Sequence, residues 1–254
     1  MKEEGGRQYR YVSVLSCLAI VVVWRLAAAA IGASVILPTP LEVIEATLKV
    51  LQSKDFLLNV ANTVLRALAS FAVIVASGTL CGILAGRCTA FRKALAPLVA
   101  VFKATPVMSV ILLAFIWLGS GAVPVFSAFL MAFPVMFVQT MDAYDAIDEG
   151  LEQMLAIYGI KGAKRLRYLV VPHMMPQLLT GARQTLSMVW KVVIAAEVIV
   201  LPRYGIGRSL QLAQIQLETS VVFAWTVIAI VLTVLGDGLF DLAIGRLLGR
   251  RTCR

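Results

Sequence analysis

"VLRALASFAVIVASGTLCGILAG", residues 64–86, holds a single charge, Arg66, in an otherwise apolar or small-residue run. Its length matches the roughly 20 residues a helix needs to cross a bilayer core. It lacks the in–out alternation of a barrel strand. In hydrocarbon no water satisfies backbone amides, so a lone continuous apolar run of this length must be an α-helix. That reading makes the chain an integral membrane protein.

Five more stretches read as spans: about 11–31, 94–118, 122–141, 177–201 and 219–245. Sixty per cent of the 254 residues are hydrophobic and 15% are charged. The mean hydropathy is +0.90, far from the soluble range. The expected fold is all-α with about six transmembrane helices. The expected organisation is a segment 1–10, a six-helix domain 11–245 and a basic tail 246–254. The first stretch reads as a retained helix, with a cleaved signal peptide as the alternative.

With the N-terminus cytoplasmic, fourteen Lys and Arg fall inside and four outside: Lys49, Lys54, Arg203 and Arg208. This positive-inside bias predicts both termini in the cytoplasm. It also accounts for the net charge of +9 without nucleic acid. The four cysteines have neither metal-site nor disulfide spacing.

In this topology residues 142–176 form the longest inside loop. Leu151, Met154, Leu155 and Tyr158 recur at i, i+3, i+4 and i+7, predicting a short amphipathic helix. Glu149, Glu152 and Gln153 lie off that face, with Asp148 as the N-cap. Gly159 is placed to end the helix in a left-handed conformation. A second amphipathic piece, with Ala163, Leu166, Leu169 and Val170 apolar, carries Lys161, Lys164, Arg165 and Arg167. Pro172 is expected to stop it and Pro176 to introduce the next span. From periodicity alone the loop is either a hairpin on lipid headgroups or a docking element for a cytoplasmic partner.

Gly159, followed by Pro172 and Pro176, resembles the signature loop of binding-protein-dependent ABC importer permeases. "LPTPLEV" (37–43), "FKATPVMSVILLAFIWLGSG" (102–121), "LLTGARQTLSMVWKVVIAAEVI" (178–199) and "YGIG" (204–207) resemble the nitrate/sulfonate/taurine subgroup, in order. The signature glutamate falls on Gln153 and its alanines on Met154 and Leu155. Lys191 stands where the subgroup has a small or neutral residue.

The resemblance implies a type I importer permease in the inner membrane of a prokaryote. It would act as a homodimer, with two ATPase subunits and an extracytoplasmic binding protein. The coupling residues would be Glu149, Glu152, Gln153, Met154, Leu155, Gly159, Lys164, Arg165 and Pro172. The solute would be a small organic or inorganic anion, or a thiamine-pyrimidine precursor. No cofactor is expected in this chain, and ATP would bind the partner subunits. A Walker A loop ends in Gly-Lys-Ser/Thr, and no Gly-Lys pair occurs here.

Charges inside spans are costly and mark partners or aqueous paths. Lys103, Lys191 and Glu197, with Pro106, are the candidate pathway residues. Arg66 and Arg183 are expected to snorkel, and Asp237 and Asp241 to meet cytoplasmic basic groups. His173, the sole histidine, reads as interfacial. "GSGAVP" (119–124) reads as a tight outer turn. "LEVIEATLKVL" (41–51) reads as a helix on the outer surface, and the stretch from Arg208 as a short periplasmic helix or a receptor-facing loop. The alternative from another class is an ion-coupled secondary transporter, for which Glu197 is the one candidate acidic relay.

Overall fold

The computed structural model describes residues 3–160 and 162–249. Lys161, Lys2 and the basic residues beyond 249 lie outside the described residues. Among the described residues the regular structure is helical throughout.

The chain divides into two compact units, where a single domain was expected. One comprises Met1–Leu57 with Ser209–Val231, the other Leu58–Arg208 with Leu232–Arg254. In the first unit α1 (Glu3–Ile31) runs unbroken through the boundary expected at residue 10. Trp24 donates to Pro38 O at 3.0 Å and stacks on Phe223 at 5.7 Å. α2 (Pro40–Leu51) follows, as its sequence predicts, with proline in the first turn. Thr39 and Glu42 form a reciprocal capping box at its start. Its Val43, Ala46 and Val50 are buried, whereas Leu41, Ile44 and Leu48 are exposed.

The second unit is built on α6 (Val123–Asp145) and α9 (Val171–Val200). Ala132, Phe133, Met136 and Phe137 of α6 pack with Leu186, Val189, Trp190 and Val193 of α9 in one core. α3 (Phe56–Arg87) approaches α6 through Gly78, Gly82 and Gly86, spaced four apart. A Cβ at these glycines would lie 2.8 Å from Met136, 2.5 Å from Thr140 and 2.5 Å from Tyr144. Small residues at this spacing let helix backbones meet in a membrane, where packing replaces the hydrophobic effect. The sequence displays that triplet openly, yet periodicity in apolar residues does not register it.

The third expected span is two helices. α4 (Thr89–Ala104) and α5 (Val107–Trp117) meet at a bend of 102°. Pro106 has no N–H and pushes Thr105 into an extended conformation, φ −74 and ψ 127. The expected turn follows α5, with Ala122 N donating to Gly119 O at 2.9 Å.

α3, α6 and α11 (Thr219–Gly249) are long and apolar enough to cross a membrane, and the bent pair makes a fourth only if its two helices are taken as one span. The other two expected spans fall on α1 and α9. α9 has the length but carries Arg183, Lys191 and Glu197. α11 passes the boundary expected at residue 245 and runs to Gly249.

The segment between α6 and α9 folds as α7 (Glu149–Ile157), α8 (Ala163–Arg165) and a π-turn (Leu166–Val170) that enters α9 directly. Pro172 therefore starts a helix instead of stopping one, and Pro176 lies within it. The π-turn explains the difference: Val171 N bonds Leu166 O, so the ladder shifts register just before the proline that cannot donate.

Candidate functional site

Among the described residues three places gather the polar chemistry: the loop between α6 and α9, one face of α9, and the end of α3 and α9 where Arg66 meets Glu197. At the loop, Asp148 accepts from Gly150 N at 2.6 Å and starts α7 as predicted. Gly159 has φ +68, the left-handed end its position calls for. Gly162, at φ +61, makes a second such turn that spacing did not single out.

Among its described side chains, α7 is anchored along one ridge. Leu155 is buried with Ile147, Leu169, Val170 and Met174, against Ala143 of α6. Leu151, Met154 and Tyr158, which share the apolar face with Leu155 in the sequence pattern, point outward, joined by Ile157 at 84% exposure. Gln153 and Lys164 are exposed, as is Pro172. Glu149 begins α7, and its side chain lies outside the described set.

Arg165 ties the loop to the membrane domain. It donates to the Tyr144 hydroxyl at 3.3 Å and pairs with Glu152. The hydrogen bond to Tyr144, then that to Glu152, holds its pKa above the ordinary arginine value. Arg92 of α4 pairs with Asp145 at 2.7 Å, and His173 Nε2 lies 3.0 Å from Ala146 O. The base of α6 is thus held from three sides.

On α9, Gln177, Thr180, Gln184 and Lys191 are all exposed. At 100° per residue they fall within about 60° of one another. Gly181 turns towards Gln139 of α6, and Gln139 Nε2 lies 3.4 Å from Gln184 Oε1. On the opposite flank Ser187 donates to Asp237 at 2.6 Å and Arg183 pairs with Asp241 at 2.8 Å, joining α9 to α11. The two aspartates and Arg183 therefore bind neighbouring spans, not the cytoplasmic groups or headgroups expected. The stripe between these contacts is polar, and Lys191 is its one charge. Lys103 is exposed one turn before the α4–α5 break, and Pro106 is exposed at the break itself.

Glu197 is placed differently from the other candidates. Its carboxylate is wholly buried. Arg66 Nη1 donates to Oε1 at 2.6 Å, Thr63 Oγ1 lies 2.8 Å from Oε2, and Gly207 N donates to Oε2 at 3.1 Å. Arg66, expected to snorkel, also donates to Tyr204 O at 2.8 Å. Glu197 is an internal ion-pair partner and faces no open path. The two glycines of "YGIG" fit against it: a Cβ at Gly205 would lie 2.6 Å from Glu197 Oε2, and one at Gly207 2.3 Å from Ile194 O.

With this geometry in place, the comparisons are specific. Residues 78–248 match the model of the family "Binding-protein-dependent transport system inner membrane component". A probable ABC transporter permease protein of Brucella melitensis is 30% identical over 215 residues, covering 84% of this chain and 87% of the relative. The taurine transport system permease protein of Escherichia coli is 26% identical over 223 residues, covering 85% of this chain and 81% of that protein. Among solved structures, the inward-facing MetNI methionine ABC transporter aligns with a TM-score of 0.54 at 16% identity. That match covers 75% of this chain and 99% of the other, and it concerns the fold.

Proposed function

The chain belongs to the family of binding-protein-dependent transport system inner membrane components, and from that premise we propose that two copies enclose the solute pathway of an ATP-driven importer. ATPase subunits drive it from the inner side through α7. The observation that carries this reading is the outward ridge of α7. Ile157 at the end of α7 and Tyr158 just beyond it are 84% and 74% exposed, while Leu155 of the same helix is locked into the base of α6. An apolar ridge held rigidly in this way suits a groove on a partner. Movement of that partner would reach α6 and α9 through Leu155, Arg165 and the π-turn.

The polar stripe of α9 supports the rest. Lipid does not favour a face bearing Lys191, Gln184 and Gln177, so a second copy would cover it across an aqueous path. Both termini and α7 would then be cytoplasmic, and α2 and α10 (Ile206–Ile215) would meet an extracytoplasmic solute-binding protein. The solute that fits is a small anion, because Lys103 and Lys191 are exposed cations and a relative carries taurine, a sulfonate. A thiamine-pyrimidine precursor is the other class. The ion-coupled alternative would need an acid open to water, and Glu197 is sealed by Arg66.

Cysteine at Gln153, in a chain co-expressed with its ATPase, tests the proposal. The expected result is a crosslink from the inner side and co-purification of the ATPase. Labelling of that cysteine from outside intact cells would refute the orientation, and absence of the ATPase would refute the coupling.

A further inference from the structure

Around Glu197 a guanidinium, a hydroxyl and a backbone amide converge on one carboxylate. Arg66 supplies a fixed cation with 13% of its side chain exposed. Thr63 accepts from Ile206 N at 2.9 Å, so its own proton is left for the carboxylate. Gly207 N opens the first turn of α10, where unsatisfied amides favour negative charge. This is the donor set by which proteins hold small oxyanions. Asn59 completes the cradle from the side by accepting from Gly205 N at 3.0 Å.

The partners come from separate parts of the chain: α3 gives Asn59, Thr63 and Arg66, α9 gives Glu197, and the segment between α9 and α10 gives Tyr204–Gly207. That segment starts from Leu201, whose φ of +45 is unusual for leucine. Its carbonyl and three of its amides are fastened to this one group of side chains. Arg208 also donates to Arg203 O and Leu201 N to Glu197 O, while the Arg203 side chain is exposed.

We propose that the outer end of α3 and α9 is a small-oxyanion site filled by the chain's own Glu197 carboxylate, and that its filling holds residues 201–207 in place. The inference stands apart from the transport reading, because it concerns only how this chain closes on itself. Removing the carboxylate leaves the largely buried Arg66 guanidinium without its counter-charge beside two vacant donors, and a short free carboxylate then has the size and charge to replace it.

The test uses the full chain in lipid nanodiscs with Cys17, Cys81, Cys88 and Cys253 replaced. Ile206, wholly buried, is changed to cysteine as a reporter read by an impermeant maleimide. With Glu197 intact the reporter is protected. In Glu197→Ala it is expected to react at least about tenfold faster, since an uncompensated buried charge favours local opening. Formate restores protection, whereas chloride at matched ionic strength and the bulkier butyrate do not. Glu197→Gln, which keeps the shape and two hydrogen bonds, guards against a misfolded alanine variant and is expected to label at an intermediate rate. In Arg66→Met/Glu197→Met formate has no effect, because the cation is gone. A protected reporter in Glu197→Ala or Glu197→Gln overturns the proposal, as does labelling indifferent to formate.

Discussion

Substituting Gly82 by alanine pits helix propensity against packing, and the structure decides the sign. The added Cβ would stand 2.5 Å from Thr140 Cβ, 2.7 Å from its Cγ2 and 2.9 Å from Phe137 O. Carbon atoms rest about 3.5–4.0 Å apart, so α3 and α6 must separate by roughly 1 Å. Thr140 cannot easily yield, since it is buried and its hydroxyl donates to Met136 O at 2.8 Å. Overpacking of this kind costs about 1–3 kcal/mol, and alanine returns about 1 kcal/mol over glycine in a helix. Three contacts under 3.0 Å put the cost in the upper part of that range, about 2–3 kcal/mol, so the net expectation is a loss of about 1–2 kcal/mol. Gly238 of α11 is the control, because a Cβ there meets nothing within 4 Å. Its alanine variant keeps only the propensity gain of about 1 kcal/mol. In a chain of this size 1 kcal/mol moves the midpoint by about 2–4 °C. Thermal melts of the detergent-solubilised chain, followed by tryptophan fluorescence at one scan rate, should shift down for Gly82→Ala and up for Gly238→Ala. An unchanged or raised midpoint for Gly82→Ala would refute the close α3–α6 contact.

Other expectations are equally direct. Gly159→Val places a β-branched residue at φ +68 with no neighbour to clash, so its effect is backbone strain of about 1–2 kcal/mol or more. Co-purification with the ATPase should fall, and Gly159→Ala should lie between; full retention by the valine variant counts against the turn. Arg165→Ala cuts the links to Tyr144 and Glu152, and trypsin should then cleave after Lys164 several-fold faster in membranes, as local opening becomes easier. An unchanged rate would show that Leu155 alone anchors the loop. Lys191→Met keeps length and packing but removes the stripe's charge. It should assemble normally while ATP-dependent uptake of taurine, the trial anion, drops. Full uptake would remove Lys191 from the pathway.

The long apolar elements were legible because hydrocarbon permits so few backbone solutions. The Asp148 cap and the Gly159 turn were legible because each depends on neighbours in sequence. Arg66 and Glu197 are 131 positions apart, and nothing local in either stretch says that they meet. Arg183 and Asp241 are misread for the same reason: snorkelling is the default for a lone charge until a neighbouring helix supplies its partner. The outward turn of Leu151, Met154 and Tyr158 shows a different limit. Periodicity finds an apolar ridge on α7 but cannot say whether the chain itself or another protein covers it. The glycine triplet of α3 was visible, but its meaning lay in residues 136–144, which it had to meet.

The break between α4 and α5 bears on the membrane itself. Sixteen residues of helix reach about 24 Å and eleven about 16 Å, while the hydrocarbon slab is about 30 Å thick. Neither rod crosses alone, and at 102° their lengths do not add in line. Pro106 offers no amide, and the carbonyls at the end of α4 lose the partners the next turn would have given them. Thr105 answers one need, donating its hydroxyl to Val101 O at 2.7 Å, but the rest of the backbone there remains polar. Acyl chains cannot seal against such a surface. Where such a break lies at hydrocarbon depth, polypeptide or water must stand beside residues 103–106 in place of lipid.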